Sequence, residues 1–218
     1  KRAAYTVNLA GGGLGDTVNP RDPTMSMWKA HGFLAAIAWG GLTPIAVAAS
    51  MLRKFLSAGL WFKIHRAFNM LSVTLTVAAF AIAVAALSRD EGDAVQHFKP
   101  QESATKAHRT IGLIVLIVAI FQALGGLMRP HLPAKPDEEA PVYPDQKSGI
   151  RRIWEIGHRV FGFSILGLCW YQVQLGIRAY HGIYANDSEI AALTAFYAVI
   201  ALISSIAVVG FFITLNKQ

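Results

Sequence analysis

The sequence predicts an all-α protein, an integral membrane helical bundle of five transmembrane helices. Composition gives the first reason: 54% of the 218 residues are hydrophobic and only 15% are charged, a balance foreign to soluble domains of this length. The second is a set of five stretches without Asp, Glu, Lys, Arg or His: Phe33 to Leu52, Ala67 to Ser88, Thr110 to Met128, Val160 to Ile177 and Ile190 to Leu215. Each is long enough to cross a hydrocarbon core of ~30 Å at ~1.5 Å per residue. The third is their even apolarity, which lacks the roughly ten-residue alternation of barrel strands.

Taken in order, residues 1–27 read as an extracytoplasmic linker and 28–218 as the transmembrane domain. The chain starts Lys1-Arg2 with neither an initiator Met nor a signal peptide, as expected of a trimmed product that follows an upstream domain. "AAYTV" fits the last strand of that domain, and the glycine-rich stretch from Asn8 to Pro23 fits a flexible connection. The proline-rich loop 129–150, with Asp137, Glu138 and Glu139, reads as a solvated connection. Cys169 has no partner for an intrachain disulfide. The fifth run has neither charge nor histidine, so it is expected on the flank of a four-helix core.

Five spans put the termini on opposite faces. The N-terminal face collects nine basic residues and the other eleven, and those of the second face cluster more tightly beside the helix ends. The positive-inside rule therefore places the N-terminus outside and the C-terminus in the cytoplasm. The sequon Asn186-Asp187-Ser188 then falls in an outward loop. Nothing in the sequence points to nucleic acid; the lipid bilayer is the expected surrounding.

Four of the seven histidines stand within the first turns of the first four helices: His31, His65, His108 and His158. Helices in an up-down bundle start on alternate faces, so His31 pairs with His108 on the outer side and His65 with His158 on the inner side. Ionisable residues within spans are rare and usually mark function. Two imidazoles make a poor closed zinc site, which takes four ligands. They suit haem iron, because the porphyrin fills the other four positions. One turn deeper, at Ala35, Asn69, Gly112 and Gly162, three residues are small and would let a flat macrocycle approach the backbone. Close helix packing in a membrane calls for the same small residues.

"IHRAFN", "AHRTIG" and "GHRVFG" are related to each other. Trp61 and Trp154 each precede a histidine by four residues, either as membrane-belt residues or as covers closing a haem pocket. Arg66, Arg109 and Arg159 point roughly 100° from their histidines. They are read first as snorkelling to lipid phosphate and second as partners of haem propionates. His97, His131 and His181 are read as solvated or interfacial.

With these residues in place, "AHGFLAAIAWG", "WFKIHRAFNML", "AHRTIGL" and "RRIWEIGHRVFG" resemble the cytochrome b561 domain, in the form found behind an extracellular DOMON domain. The resemblance covers about residues 28 to 215. It implies two non-covalent b-type haems, His31 with His108 and His65 with His158 as their ligands, and electron transfer across the membrane. It also implies a cytosolic donor, commonly ascorbate. The outer acceptor would be ferric chelate, monodehydroascorbate or an attached haem domain. A homodimer fits the same picture.

Lys54, Lys63, Arg66, Arg151 and Arg152 cluster on the inner face, where they would attract an anionic donor. Topology alone accounts for the same charges. Two other function classes are carried: a quinone-linked membrane cytochrome b subunit, and a non-redox transporter or scaffold whose histidines are packing or proton-relay groups.

Overall fold

The computed structural model describes residues 5–7, 14–16, 23–57, 59–90, 104–130, 149–184 and 188–215. His97, His131, Asp137, Glu138, Glu139 and Asn186 lie outside the described residues. Near the start, strand β1 (Tyr5–Val7) pairs antiparallel with β2 (Leu14–Asp16), inside the stretch expected to be linker. Helix α1 (Pro23–Ala36) begins five residues before the expected boundary at 28, with Pro23 at its first position, where a missing N–H costs nothing.

A π-helical turn, Ile37–Leu42, joins α1 to α2 (Thr43–Met51) in one continuous rod. Pro44 explains the turn, since a proline in a regular helix clashes with the carbonyl four residues earlier and removes its hydrogen bond. The wider turn inserts one extra residue. It also leaves the carbonyl of Trp39 to accept the indole N–H of Trp170 at 2.9 Å. There follow α3 (Leu60–Asp90), α4 (Ala104–Leu127), α5 (Gly149–Tyr184) and α6 (Glu189–Leu215). The rod and these four helices make five segments long and apolar enough to cross a membrane.

The helices outrun the charge-free stretches because a helix satisfies its own backbone whether its side chains face lipid or headgroups. Hydroxyls inside the spans do the same locally: Ser72 donates to the carbonyl of Phe68 and Thr76 to that of Ser72. The bundle is apolar on its outside as well. Phe121, Leu202, Val209 and Phe212 are exposed, an arrangement suited to lipid and costly in water.

The rod packs along α3, and α4 packs along α5. Ala38, Trp39, Val115, Ala119, Ile165, Leu166, Cys169 and Val173 form the buried centre where the two helix pairs meet. Helix α6 lies on the flank, as expected, with Phe196 against Gly40; a Cβ at Gly40 would stand 2.7 Å from that ring.

Candidate functional site

The bundle brings the four histidines together in two pairs. His31 of α1 faces His108 of α4 with ring centres 6.0 Å apart and planes at 87°. His65 of α3 faces His158 of α5 at 6.3 Å and 68°. A metal–imidazole bond is about 2 Å and a ring nitrogen sits roughly 1.1 Å from its ring centre, so imidazoles sharing one ion have centres roughly 6 Å apart. Both pairs have that spacing.

Second hydrogen bonds hold the rings. A carbonyl only accepts, so Nδ1 is the donor where His31 meets Ala79 O at 2.8 Å, His65 meets Ala46 O at 3.0 Å and His108 meets Gln172 O at 3.1 Å. That leaves the Nε2 lone pair for a ligand, the arrangement found around metal-bound histidines. His158 differs: its Nδ1 lies 3.1 Å from the side-chain Nε2 of Gln122.

These contacts follow a rule of register. Ala79 stands about 14 residues beyond His65, and Gln172 and Gln122 stand about 14 beyond His158 and His108. Ala46 is one further from His31, which is the extra residue of the π turn. Since His31 is level with Ala79, the two pairs lie roughly 21 Å apart along the helices.

Between α4 and α5 the register is reciprocal. Gln172 donates its amide to the carbonyl of His108 at 2.6 Å, and Gln122 donates to that of His158 at 2.7 Å. Glycine makes room at four points. A Cβ at Gly112 would lie 2.7 Å from Gln172 Nε2, and one at Gly162 would lie 3.1 Å from Gln122 Nε2. At Gly176 it would lie 2.8 Å from His108 Cε1, and at Gly126 3.4 Å from His158 Cε1. Gly112 and Gly162 thus admit glutamine amides, a need that sequence alone does not reveal. Asn69, at the corresponding position of α3, folds back and donates to the carbonyl of its own His65 at 2.7 Å.

A partly open cavity of about 110 Å³ lies at the first pair, bordered by His31, His108, Ala35, Trp39, Gly112 and Arg109. Gln172 Oε1 also belongs to its wall, buried and without a hydrogen-bond partner among the described residues. No group of three or more His, Cys, Asp or Glu side chains comes together among the described residues. Each pair therefore brings two nitrogen donors together among the described residues.

The second pair is set among cations and rings. Trp154 stacks on His158 with centres 4.9 Å apart and planes at 9°, and its indole donates to the carbonyl of Gly125 at 2.9 Å. Arg151 is buried, bonds Glu155 at 2.9 Å, donates to the carbonyl of Pro130, and lies 5.3 Å from the Trp154 ring centre. A head so placed packs against the Trp154 ring. Burial, and then the charge of Arg151, lower the Arg129 pKa from the usual guanidinium range, with Glu155 opposing. Lys63, Arg66, Arg152 and Arg159 are exposed at this end. Trp61 packs edge-on to Phe62. His181, expected in a solvated or interfacial setting, is buried and bonded to Ile177 O and Ser188 Oγ.

Curated proteins of Arabidopsis thaliana are similar to this chain in sequence. The chain is 25% identical over 159 residues to one cytochrome b561 and DOMON domain-containing protein, covering 73% of the chain and 32% of that relative. A second protein so named is 29% identical over 150 residues, 68% of the chain and 31% of the relative. A cytochrome b561 domain-containing protein is 28% identical over 152 residues, 70% of the chain and 51% of the relative.

The chain is a homologue of cytochrome b561 domain proteins. It spans about a third of the length of the first two relatives. No family model and no solved structure matches it. Helix composition and these homologues together make it a multi-pass integral membrane protein.

Proposed function

We propose that the chain carries electrons across a membrane through two b-type haems, one on each histidine pair, as a membrane cytochrome. The observation that carries this is the paired geometry: two sets of facing imidazoles, spaced for one shared ion and roughly 21 Å apart along the helices. The relatives' names support the same reading. The Gly176 and Gly126 cradles and the cavity at the first pair fit a planar group. A haem held between two histidines would supply one-electron exchange.

The chain's own residues set the rest. His31 and His108 would hold one group, and His65 and His158 the other, each offering Nε2. The apolar centre around Trp39, Cys169 and Val173 keeps water from the space between them. Arg109, half-buried on the cavity wall, is placed to meet a carboxylate of the group. Arg66 and Arg159 would do so at the other end.

The positive-inside rule makes the His65 end cytoplasmic and residues 1–27 extracytoplasmic. There Lys63, Arg66 and Arg152 would draw in an anionic donor such as ascorbate. An outer acceptor, such as a DOMON haem domain, ferric chelate or monodehydroascorbate, fits the opposite end. Haem released from the purified chain into alkaline pyridine should give two haems b per chain, extractable because no C-x-x-C-H motif binds them covalently. One haem or none would overturn the reading.

A further inference from the structure

One guanidinium at the His65–His158 end has no acceptor among the described residues. Arg129 stands two residues past the end of α4, partly buried, with its head 5.4 Å from the ring centre of Phe62. Among the described residues it makes neither a hydrogen bond nor an ion pair. Its five N–H donors are drawn partly out of water there, which is costly unless an anion meets them. The charges of Arg151 and Glu155 both reach Arg129, but Glu155 is bonded to Arg151 at 2.9 Å. Two guanidinium groups thus share one carboxylate.

Three helices fix the place of this head. Phe62 lies three residues before His65 on α3 and Glu155 three before His158 on α5, so Arg129 stands about one helical turn, roughly 5 Å, outside both histidines. It spans the mouth of the gap between the two ligand-bearing helices. We propose that Arg129 binds a carboxylate of the haem held by His65 and His158, with the Phe62 ring as the platform for its head. A planar guanidinium takes a carboxylate through two parallel N–H···O bonds, and a ring stacked against it favours one orientation of that fork. Arg66 and Arg159 sit on the ligand helices themselves, with exposed heads. The partly buried head of Arg129 gains more from an anion, and a carboxylate attached to a group already held in the gap loses less freedom on pairing than a free anion does. Pairing also reaches the iron. An unpaired carboxylate favours the more positive ferric state and lowers the potential, whereas a paired one does so less.

The inference rests on the two-haem reading and can fail separately from it. The test is a redox titration, with resonance Raman spectra, of the purified, haem-loaded chain for the parent, Arg129→Gln, Arg129→Lys and Arg53→Gln. The last removes an exposed charge from the turn after α2. Arg129→Gln should lower one of the two steps by about a threefold to tenfold change in its equilibrium constant; tenfold is 59 mV for one electron. It should also move the Raman bending band of the haem carboxylates, which follows the hydrogen bonds they accept. Arg129→Lys keeps the charge but not the fork, so it should move the band while its step stays closer to the parent's. Arg53→Gln should change neither. If Arg129→Gln no longer holds two haems, the band of Arg129→Lys decides alone. An unmoved band overturns the inference even where a step falls, because the charge then acts without contact. An equal fall in Arg53→Gln overturns it too. So does loss of one haem from both Arg129 variants while Arg53→Gln keeps two, which makes Arg129 a packing residue. Inorganic phosphate replacing chloride at fixed ionic strength should leave the parent's steps in place; a fall that Arg129→Gln abolishes gives the site to a free anion and overturns the assignment. A parent with no haem instead overturns the function proposed above, whereas two haems indifferent to Arg129 overturn only this inference.

Discussion

The two histidine sites are built on one plan and finished differently. At the His31–His108 site both imidazoles donate to backbone carbonyls, the walls are largely apolar, and Trp28 meets His31 edge-on at 6.1 Å and 85°. At the His65–His158 site a side-chain amide nitrogen stands 3.1 Å from one Nδ1, Trp154 lies flat on its histidine, and Arg151 covers Trp154 while paired with Glu155. Backbone support is independent of sequence and fixes geometry. Side-chain support changes with a single substitution. The second site stands where Lys63, Arg66, Arg152 and Arg159 are exposed, so the half of the molecule most open to such change is the half proposed to face the donor.

The glycine cradles break this comparison most strongly. Gly176→Ala places a Cβ 2.8 Å from His108 Cε1, so the ring must shift; Gly126→Ala places one 3.4 Å from His158 Cε1, a contact the ring accommodates with a few tenths of an ångström. Overpacking of the first kind costs about 1–3 kcal/mol, and the second should stay within about 0.5 kcal/mol. Thermal melts of the purified protein, with haem content read at each temperature, should show Gly176→Ala losing the His31–His108 haem early. Gly126→Ala should follow the parent. Equal effects would mean that the cradles do not differ.

A smaller effect is expected at the tryptophans. Trp154→Leu loses a ring stack worth about 0.5–1.5 kcal/mol and a hydrogen bond worth about 0.5–1.5 kcal/mol. Trp28→Leu loses an edge contact only, so far as His31 is concerned. The absorption band of one haem should therefore move in Trp154→Leu and stay in Trp28→Leu. Movement in Trp28→Leu alone would reverse the ranking of the two sites.

The fold was legible because lipid cannot solvate charge: the charge-free runs match the five membrane-length helices, even though helices such as α3 extend past theirs through His65 and Arg66. The histidine pairs were legible from helix alternation, and the rings meet in those pairs. Gln122 and Gln172 were missed because an amide inside an apolar run counts as uncharged in a hydropathy reading. The repeated His-Arg-x-x-Gly and Gln-x-x-x-Gly register was the signal that would have shown them. The π turn had a signal in Pro44, set in a run that otherwise reads as unbroken helix. Burial of Arg151 had none, since one sequence neighbour, Arg152, has the same charge and is exposed.

The central claim is that two separate sites exist and that each owns one pair of histidines. Haem content of paired double variants tests it most directly. His31→Ala with His108→Ala removes both donors of one site and should leave one haem per chain, as should His65→Ala with His158→Ala. His31→Ala with His65→Ala damages both sites and should leave close to none. If the cross-pair variant instead keeps one haem while a same-pair variant keeps none, the histidines are paired otherwise and the account is wrong.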